Sequence, residues 1–233
     1  MKIAIIPARG GSKRIQKKNI KLFNGKPILA YAIANAINSK LFDEIIVSTD
    51  DKEIAEIAIT FGASVPFFRS EKNSDDFAST FDVIKEVIDY YTDNEGCKFN
   101  YACCLYPCTP LIDYCILQQS FDTLINQKFD LVYPIVKYGY PIQRALKIDS
   151  DNKVKMIHPE FLFTRSQDLD ATYHDAGQFY FFKVNEIMAQ KKILTDNTGY
   201  VIVSEMDVQD IDTYEDWSLA ENKYRLKHKN IEK

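Results

Sequence analysis

Short, uniformly apolar runs alternate along this chain with longer stretches in which apolar residues recur at helical spacing. The first run, Ile3-Ala4-Ile5-Ile6, ends at Pro7 and is rich in β-branched residues. That pattern predicts a strand buried on both faces. Residues 28–38 place Ile28, Leu29, Ala32, Ile33, Ala36 and Ile37 on one helical face, with Pro27 suited to the first turn. Residues 44–48 (EIIVS) predict a second buried strand. Asp50 or Asp51 can cap a helix over 52–61, ended by Gly62, and residues 65–68 predict a short third strand. This β-α-β-α-β order opens a doubly wound, mostly parallel sheet.

The polar stretch 69–80 (RSEKNSDDFAST) predicts a loop, with Ser79 or Thr80 capping an amphipathic helix that runs to Tyr91. Residues 101–106 (YACCLY) read as a fourth strand, broken by Pro107-Cys108-Thr109-Pro110. A helix capped by Asp113 and a fifth strand over 131–136 follow. From about residue 137 the texture becomes aromatic and polar. Residues 145–149 and 153–158 predict paired strands around Ser150-Asp151-Asn152, whereas 164–168 and 173–178 read as turns. Strands over 179–184 and 201–204 and a helix from Asp212 to about residue 227 complete the chain. The expectation is one α/β domain over residues 1–233 with a small β-rich insertion at about 138–178.

Composition narrows the function classes. At 233 residues and 46% hydrophobic content the chain can bury a sizeable core. A net charge of −4 weighs against a nucleic-acid partner. No apolar run approaches a membrane span, and Met1-Lys2 leads straight into the first strand without a signal-peptide core. The five cysteines form no C-x-x-C pair, so reduced thiols are expected rather than zinc or a redox couple. The expected setting is the cytoplasm, with no membrane contact.

Two stretches carry candidate chemistry. After Pro7, residues 8–19 (ARGGSKRIQKKN) combine adjacent glycines with Arg9, Lys13, Arg14, Lys17 and Lys18. Successive amides in such a loop can turn towards one anion, and α/β proteins bind ligands at the carboxyl ends of strands. Neither the Walker A pattern nor G-x-G-x-x-G is present. The second stretch is Asp210-Ile211-Asp212, whose carboxylates can share a hard cation from an extended segment. Asp212 can also cap the helix that follows, and the two roles are compatible.

Ala8-Arg9-Gly10-Gly11-Ser12-Lys13 with Lys18-Asn19 resembles the N-terminal signature of the CMP-sugar synthetases, the cytidylyltransferases that activate sialic acids, related nonulosonic acids and KDO. Val208-Gln209-Asp210-Ile211-Asp212-Thr213 resembles the family's metal-binding Asp-x-Asp segment. Ile46-Val47-Ser48-Thr49-Asp50, Phe68-Arg69, Asp75-Asp76 and Ser79-Thr80 extend the likeness to nearly the full chain. The resemblance implies a Rossmann-like, doubly wound fold of the nucleotide-diphospho-sugar transferase type, whose insertion serves dimerisation and sugar binding. It also implies CTP as co-substrate, Mg²⁺ as cofactor, an acidic nine-carbon sugar as acceptor, and a homodimer.

By the same resemblance, Ala8, Arg9, Gly10, Gly11, Ser12, Lys13, Lys18 and Asn19 would hold the triphosphate. Arg69, Ser79 and Tyr106 would contact the nucleotide, Asp210 and Asp212 the metal, and Arg9, Lys18 and Asp212 would carry catalysis. Tyr106 is a departure, standing where sialic acid synthetases usually have glutamine. Residues 140–180 resemble instead the pseudaminic acid cytidylyltransferases, which makes Gln143, Arg144, Arg165, His174, Gln178 and Tyr180 candidates for the sugar site. His174 is equally readable as a structural histidine. Legionaminic and N-acetylneuraminic acid are alternative substrates. Two other classes compete. A nucleotide-sugar glycosyltransferase normally carries its Asp-x-Asp after a mid-chain strand, and a non-catalytic module would bind CTP without releasing pyrophosphate.

Overall fold

The computed structural model describes residues 1–75 and 77–228. Its elements are β1 (Lys2–Pro7), β2 (Leu22–Phe23), β3 (Lys26–Pro27), α1 (Ile28–Ser39), β4 (Glu44–Ser48), α2 (Lys52–Thr60), α3 (Thr80–Asn94), β5 (Tyr101–Leu105) and α4 (Tyr114–Asn126). They continue with β6 (Leu131–Lys137), β7 (Leu146–Ile148), β8 (Val154–Met156), β9 (Tyr173–Asp175), β10 (Phe179–Lys183), α5 (Val184–Gln190), β11 (Thr198–Ile202) and α6 (Tyr214–His228). Seven strands form one sheet in the order β11-β6-β10-β5-β1-β4, with β9 also on β6. β4, β1 and β5 are parallel neighbours, as are β6 and β11, while β10 runs antiparallel between β5 and β6. The fold is therefore α/β with a mostly parallel central sheet.

Strand periodicity divides the core. Ala4 and Ile6 of β1 face a cluster with Leu29, Ile33 and Leu117, whereas Ile3 and Ile5 face Ile84, Val87 and Phe182 on the other side. A third cluster joins the two ends of the chain. Ile15, Phe23 and Ile28 pack against Ile211, Trp217 and Ala220. The Phe23 ring meets Trp217 and Tyr224 edge-on, each at 5.6 Å. This contact brings the basic loop alongside the segment that precedes α6.

Four expectations change. Residues 65–68 form no strand; a single bridge, Ile46 to Ser64, precedes them, and the chain then leaves the sheet. Pro66 has no N–H to donate, so the ladder cannot continue. Residues 173–175 are β9, paired with Ile135–Lys137 of β6, because a long-range ladder overrides local turn propensity. The last strand spans Thr198–Ile202, earlier than 201–204. Its Gly199 leaves no room for a side chain, since an added Cβ would lie 2.1 Å from the Phe129 ring. Finally, α6 is capped by Thr213 rather than Asp212. Asp216 N–H donates to Thr213 Oγ1 at 3.2 Å, and the Asp216 carboxylate accepts from Thr213 N–H at 2.8 Å.

Candidate active site

A cavity of about 700 Å³ opens at the carboxyl ends of β1 and β5. Arg9, Ser12, Lys13, Arg14, Lys18 and Asn19 line it from the basic loop, Tyr106 and Cys108 from the end of β5, Gln178 and Tyr180 from the start of β10, and Asp210 and Asp212 from the C-terminal segment. Ala8 lies beneath, fully buried.

The glycines act differently from the anion cradle expected of them. Neither Gly10 nor Gly11 has positive φ. Gly10 N–H donates to the Asp50 carboxylate at 2.9 Å, and Ser12 N–H donates to Gly10 O at 2.9 Å. Two of the three expected anion-binding amides are thus committed within the protein. Gly10 is required by close approach, since a Cβ there would sit 2.7 Å from Asp51 Oδ2 and 2.9 Å from Asp51 Cβ. Asp51 cannot move away cheaply, because its carboxylate caps α2. Asn19 is buried and holds the loop in shape. Its Nδ2 donates to Arg9 O at 2.9 Å, and its Oδ1 accepts from the Cys108 thiol at 3.4 Å. Burial pushes that thiol up to about 12, so it stays neutral.

Positive charge in the cavity therefore comes from side chains. Lys18 Nζ donates to Ile211 O at 2.6 Å and lies 3.5 Å from Asp212 Oδ1. Arg14 donates to the other Asp212 oxygen at 2.7 Å. Arg14 is thus a cavity residue that the family resemblance does not single out, although its place within the basic loop signals it. Because Thr213 and Asp216 cap α6, the Asp212 carboxylate is available to the cavity. Desolvation, then the charge of Asp212, raises Asp210 above the ordinary carboxylate range. No group of three or more potential metal ligands occurs among the described residues. Two carboxylates one residue apart fit Mg²⁺, which ordinarily takes one or two carboxylates and completes its shell with phosphate oxygens and water.

A smaller cleft of about 210 Å³ adjoins the cavity and shares Pro7, Arg9 and Tyr106 with it. Arg69, Asp75 and Thr80 line it. The Arg69 guanidinium is buried against Ser48, donating through Nε to Ser48 Oγ at 3.0 Å and through Nη2 to the Ser48 carbonyl. Burial lowers its pKa, partly offset by Asp50 and Glu86. Ser79 does not line this cleft. Its hydroxyl is held in a capping box with Asp82 at the start of α3, donating to that carboxylate at 2.6 Å. Tyr106 OH lies 3.2 Å from Thr80 Oγ1, and burial raises the phenol to about 12. Asp76, grouped with Asp75 by the resemblance, lies outside the described residues.

The sugar-site candidates divide. Gln178 and Tyr180 line the main cavity, and Tyr180 OH donates to Asp175 at 2.5 Å. Gln143, Arg144, Arg165 and His174 do not line it. Gln143 donates to Asp170 O at 3.0 Å, and Arg144 donates to Thr164 O. Arg165 pairs with Asp168 at 2.7 Å and is 73% exposed, while His174 donates to Asp175 O at 2.8 Å beside the Tyr138 ring. All four are engaged within residues 138–175, away from the cavity wall.

The family described as cytidylyltransferase matches residues 3–231. Over 228 residues, covering 98% of both sequences, the chain is 39% identical to the pseudaminic acid cytidylyltransferase of Campylobacter jejuni subsp. jejuni serotype O:2. It is 31% identical over 235 residues, 96% of each sequence, to the CMP-N,N'-diacetyllegionaminic acid synthase of Legionella pneumophila. The solved CMP:2-keto-3-deoxy-manno-octonic acid synthetase complexed with CTP shares the fold, with a TM-score of 0.70 at 14% identity over 98% of this chain and 99% of that one. This chain belongs to the cytidylyltransferase family.

Proposed function

We propose that the protein transfers CMP from CTP to a nonulosonic acid, with pseudaminic acid the preferred acceptor. The observation that carries this reading is the contact of Lys18 with both Ile211 O and Asp212 across the cavity. It unites a polycationic loop suited to a triphosphate with a carboxylate pair suited to its cation. Near-full-length identity to the Campylobacter enzyme supports pseudaminic acid as the acceptor.

In this reading the cytidine occupies the cleft of Arg69, Thr80 and Tyr106, and Arg9 spans the two compartments. Arg9, Lys13 and Lys18 hold the β- and γ-phosphates and stabilise the charge on departing pyrophosphate. The anomeric hydroxyl of the 2-keto sugar acid attacks the α-phosphorus in line. A new P–O bond forms as the bond from the α-phosphorus to the oxygen bridging it to the β-phosphate breaks; pyrophosphate leaves with that oxygen and the hydroxyl proton passes to solvent. Asp210 and Asp212 would hold Mg²⁺, which would supply Lewis-acid neutralisation of phosphate charge and lower the pKa of the attacking hydroxyl. Asn19 acts through the loop it braces. Arg144, Arg165 and His174 reach a sugar only if the insertion contributes to a second site, so the cavity reading assigns acceptor binding first to Gln178 and Tyr180.

Pyrophosphate release from CTP, with pseudaminic, legionaminic and N-acetylneuraminic acids and KDO offered separately, tests the reading. Turnover is expected with pseudaminic acid. The identity to the Legionella synthase supports legionaminic acid as the second choice, and preference for it would overturn the substrate assignment but not the reaction. CTP binding without pyrophosphate release from any acid would overturn the reaction.

We further propose a homodimer formed through the insertion, where Leu146, Ile148 and Phe163 are 60%, 72% and 94% exposed. Light scattering is expected to give twice the chain mass, falling to one chain in an Ile148→Lys, Phe163→Lys variant. A monomeric parent protein would overturn the assignment. No helix among the described residues is long and apolar enough to cross a membrane, and a requirement for CTP supports the cytoplasm as the site of action.

A further inference from the structure

Gln178 occupies a place built for it. Ala176 N–H still pairs with Pro134 O at 3.0 Å, but the ladder to β6 then shifts. Ile135 faces Asp175 and Val132 faces Phe181, so three steps on β6 are matched by six on the returning strand. The surplus forms a bulge that carries residues 176–178. Gly177 turns it at φ +62°, and its N–H donates to the Asp175 carboxylate at 2.7 Å. Gln178 O accepts from Tyr106 N–H at 2.9 Å, fixing the bulge to the end of β5.

The Gln178 side chain is 1% exposed and lines the main cavity. Its Nε2 donates to Ala176 O at 2.9 Å, whereas its Oε1 has no partner. The orientation of the amide is dictated by that contact. Turned over, it would press two carbonyl oxygens together and leave an NH₂ unpaired. An amide oxygen only accepts hydrogen bonds, and leaving a buried acceptor unsatisfied is unfavourable. A bound group that brings a donor recovers that cost. A carboxylate or phosphate brings only acceptors and is repelled.

Resting on the proposed acceptor chemistry, we propose that Gln178 Oε1 is a specificity determinant that reads a neutral hydrogen-bond donor on the sugar acid, an acylamino N–H or a hydroxyl. The sugar carboxylate and the triphosphate lie elsewhere. This gives a specific part to Gln178, which the resemblance placed among the candidates for the sugar site.

The test pairs Gln178→Met, which keeps the side-chain volume but removes the acceptor, with acceptor analogues lacking one donor each. These are single deoxy sugars and ester-for-amide replacements. In the wild-type protein one analogue should lose about 10–100-fold in kcat/KM, as expected for one unpaired buried polar group. In Gln178→Met the parent sugar should show a KM raised by a similar factor, that analogue no further loss, and CTP an unchanged KM. Which analogue responds separates N–H from O–H. An unchanged sugar KM in a variant with normal thermal melting would overturn the proposal, as would analogue penalties identical in both proteins. If the variant does not fold, wild-type tolerance of every single-donor deletion overturns it, and a penalty for one supports it. Absence of turnover by the wild-type protein bears on the reaction instead. Calorimetric binding of the sugar acid to both proteins then decides the role of Gln178.

Discussion

Asp212→Asn is expected to lower the rate of pyrophosphate release by about 10³ at saturating CTP, equivalent to roughly 4 kcal/mol of transition-state stabilisation. Asparagine keeps the shape of the side chain and one oxygen that can accept from Arg14 or Lys18, 2.7 and 3.5 Å from the carboxylate. It removes the charge. Asp210 alone would then face the cation, and two basic groups would lose their counter-ion beside the phosphates. The effect on folding is small, because Arg14 and Asp212 are 67% and 34% exposed and such pairs contribute at most about 1 kcal/mol. Initial rates across a Mg²⁺ titration, with thermal melting alongside, separate the two effects. A variant within tenfold of the parent at saturating Mg²⁺ would remove Asp212 from the mechanism.

Lys18→Met is the second large effect, about 10²–10³ in kcat/KM for CTP, the usual scale for losing one preorganised donor to developing charge. Lys18, like Arg14, reaches from the basic loop to the Asp212 segment, and it alone of the two also donates to Ile211 O among the hydrogen bonds of the described residues. Its ammonium contacts Ile211 O at 2.6 Å while the residue itself opens the turn Lys18–Ile20 that ends the basic loop. Losing a charged hydrogen bond to a carbonyl also costs about 1.5–3 kcal/mol of stability, so melting temperature and kcat/KM should fall together. Lys18→Arg keeps the charge but not the compact point geometry and should recover only part of the rate. An unchanged kcat/KM for CTP in Lys18→Met would place the triphosphate elsewhere.

Elements whose signal is local were readable from the chain. The run Ile3–Ile6 became the buried strand β1, because four apolar residues before a proline suit a strand covered on both faces. The spacing of Ile28, Leu29, Ala32, Ile33 and Ala36 became the buried face of α1. Asp51 and Asp113 cap α2 and α4, as short acceptor side chains before amphipathic stretches should. Where partners lay far off in sequence, local reading failed. Residues 173–175 look like a turn until β6 supplies a ladder; the strand expected over 65–68 failed instead for a local reason, because Pro66 has no N–H to donate. Gly10 and Gly11 suggested an anion cradle, but Asp50 and Asp51, some 40 residues on, account for the Gly10 amide and for its missing side chain.

The candidate site divides along the same line. Sequence alone determined which chemistry was present, a basic loop after the first strand and a carboxylate pair before the last helix, because each is written within a dozen residues. Tertiary structure decided that they share one cavity, through Phe23, Trp217 and Ile211 packing residues almost 200 apart. It also decided which side chains were free for chemistry. Thr213 took the cap and left Asp212 to the cavity, while Ser79 was taken by its own capping box and Arg165 by Asp168. A side chain's type is set by the sequence, but whether its polar atoms face a ligand or a neighbour depends on which distant backbone groups arrive beside it. Gln178, with one end of its amide tied and the other buried without a partner, shows that dependence within a single residue.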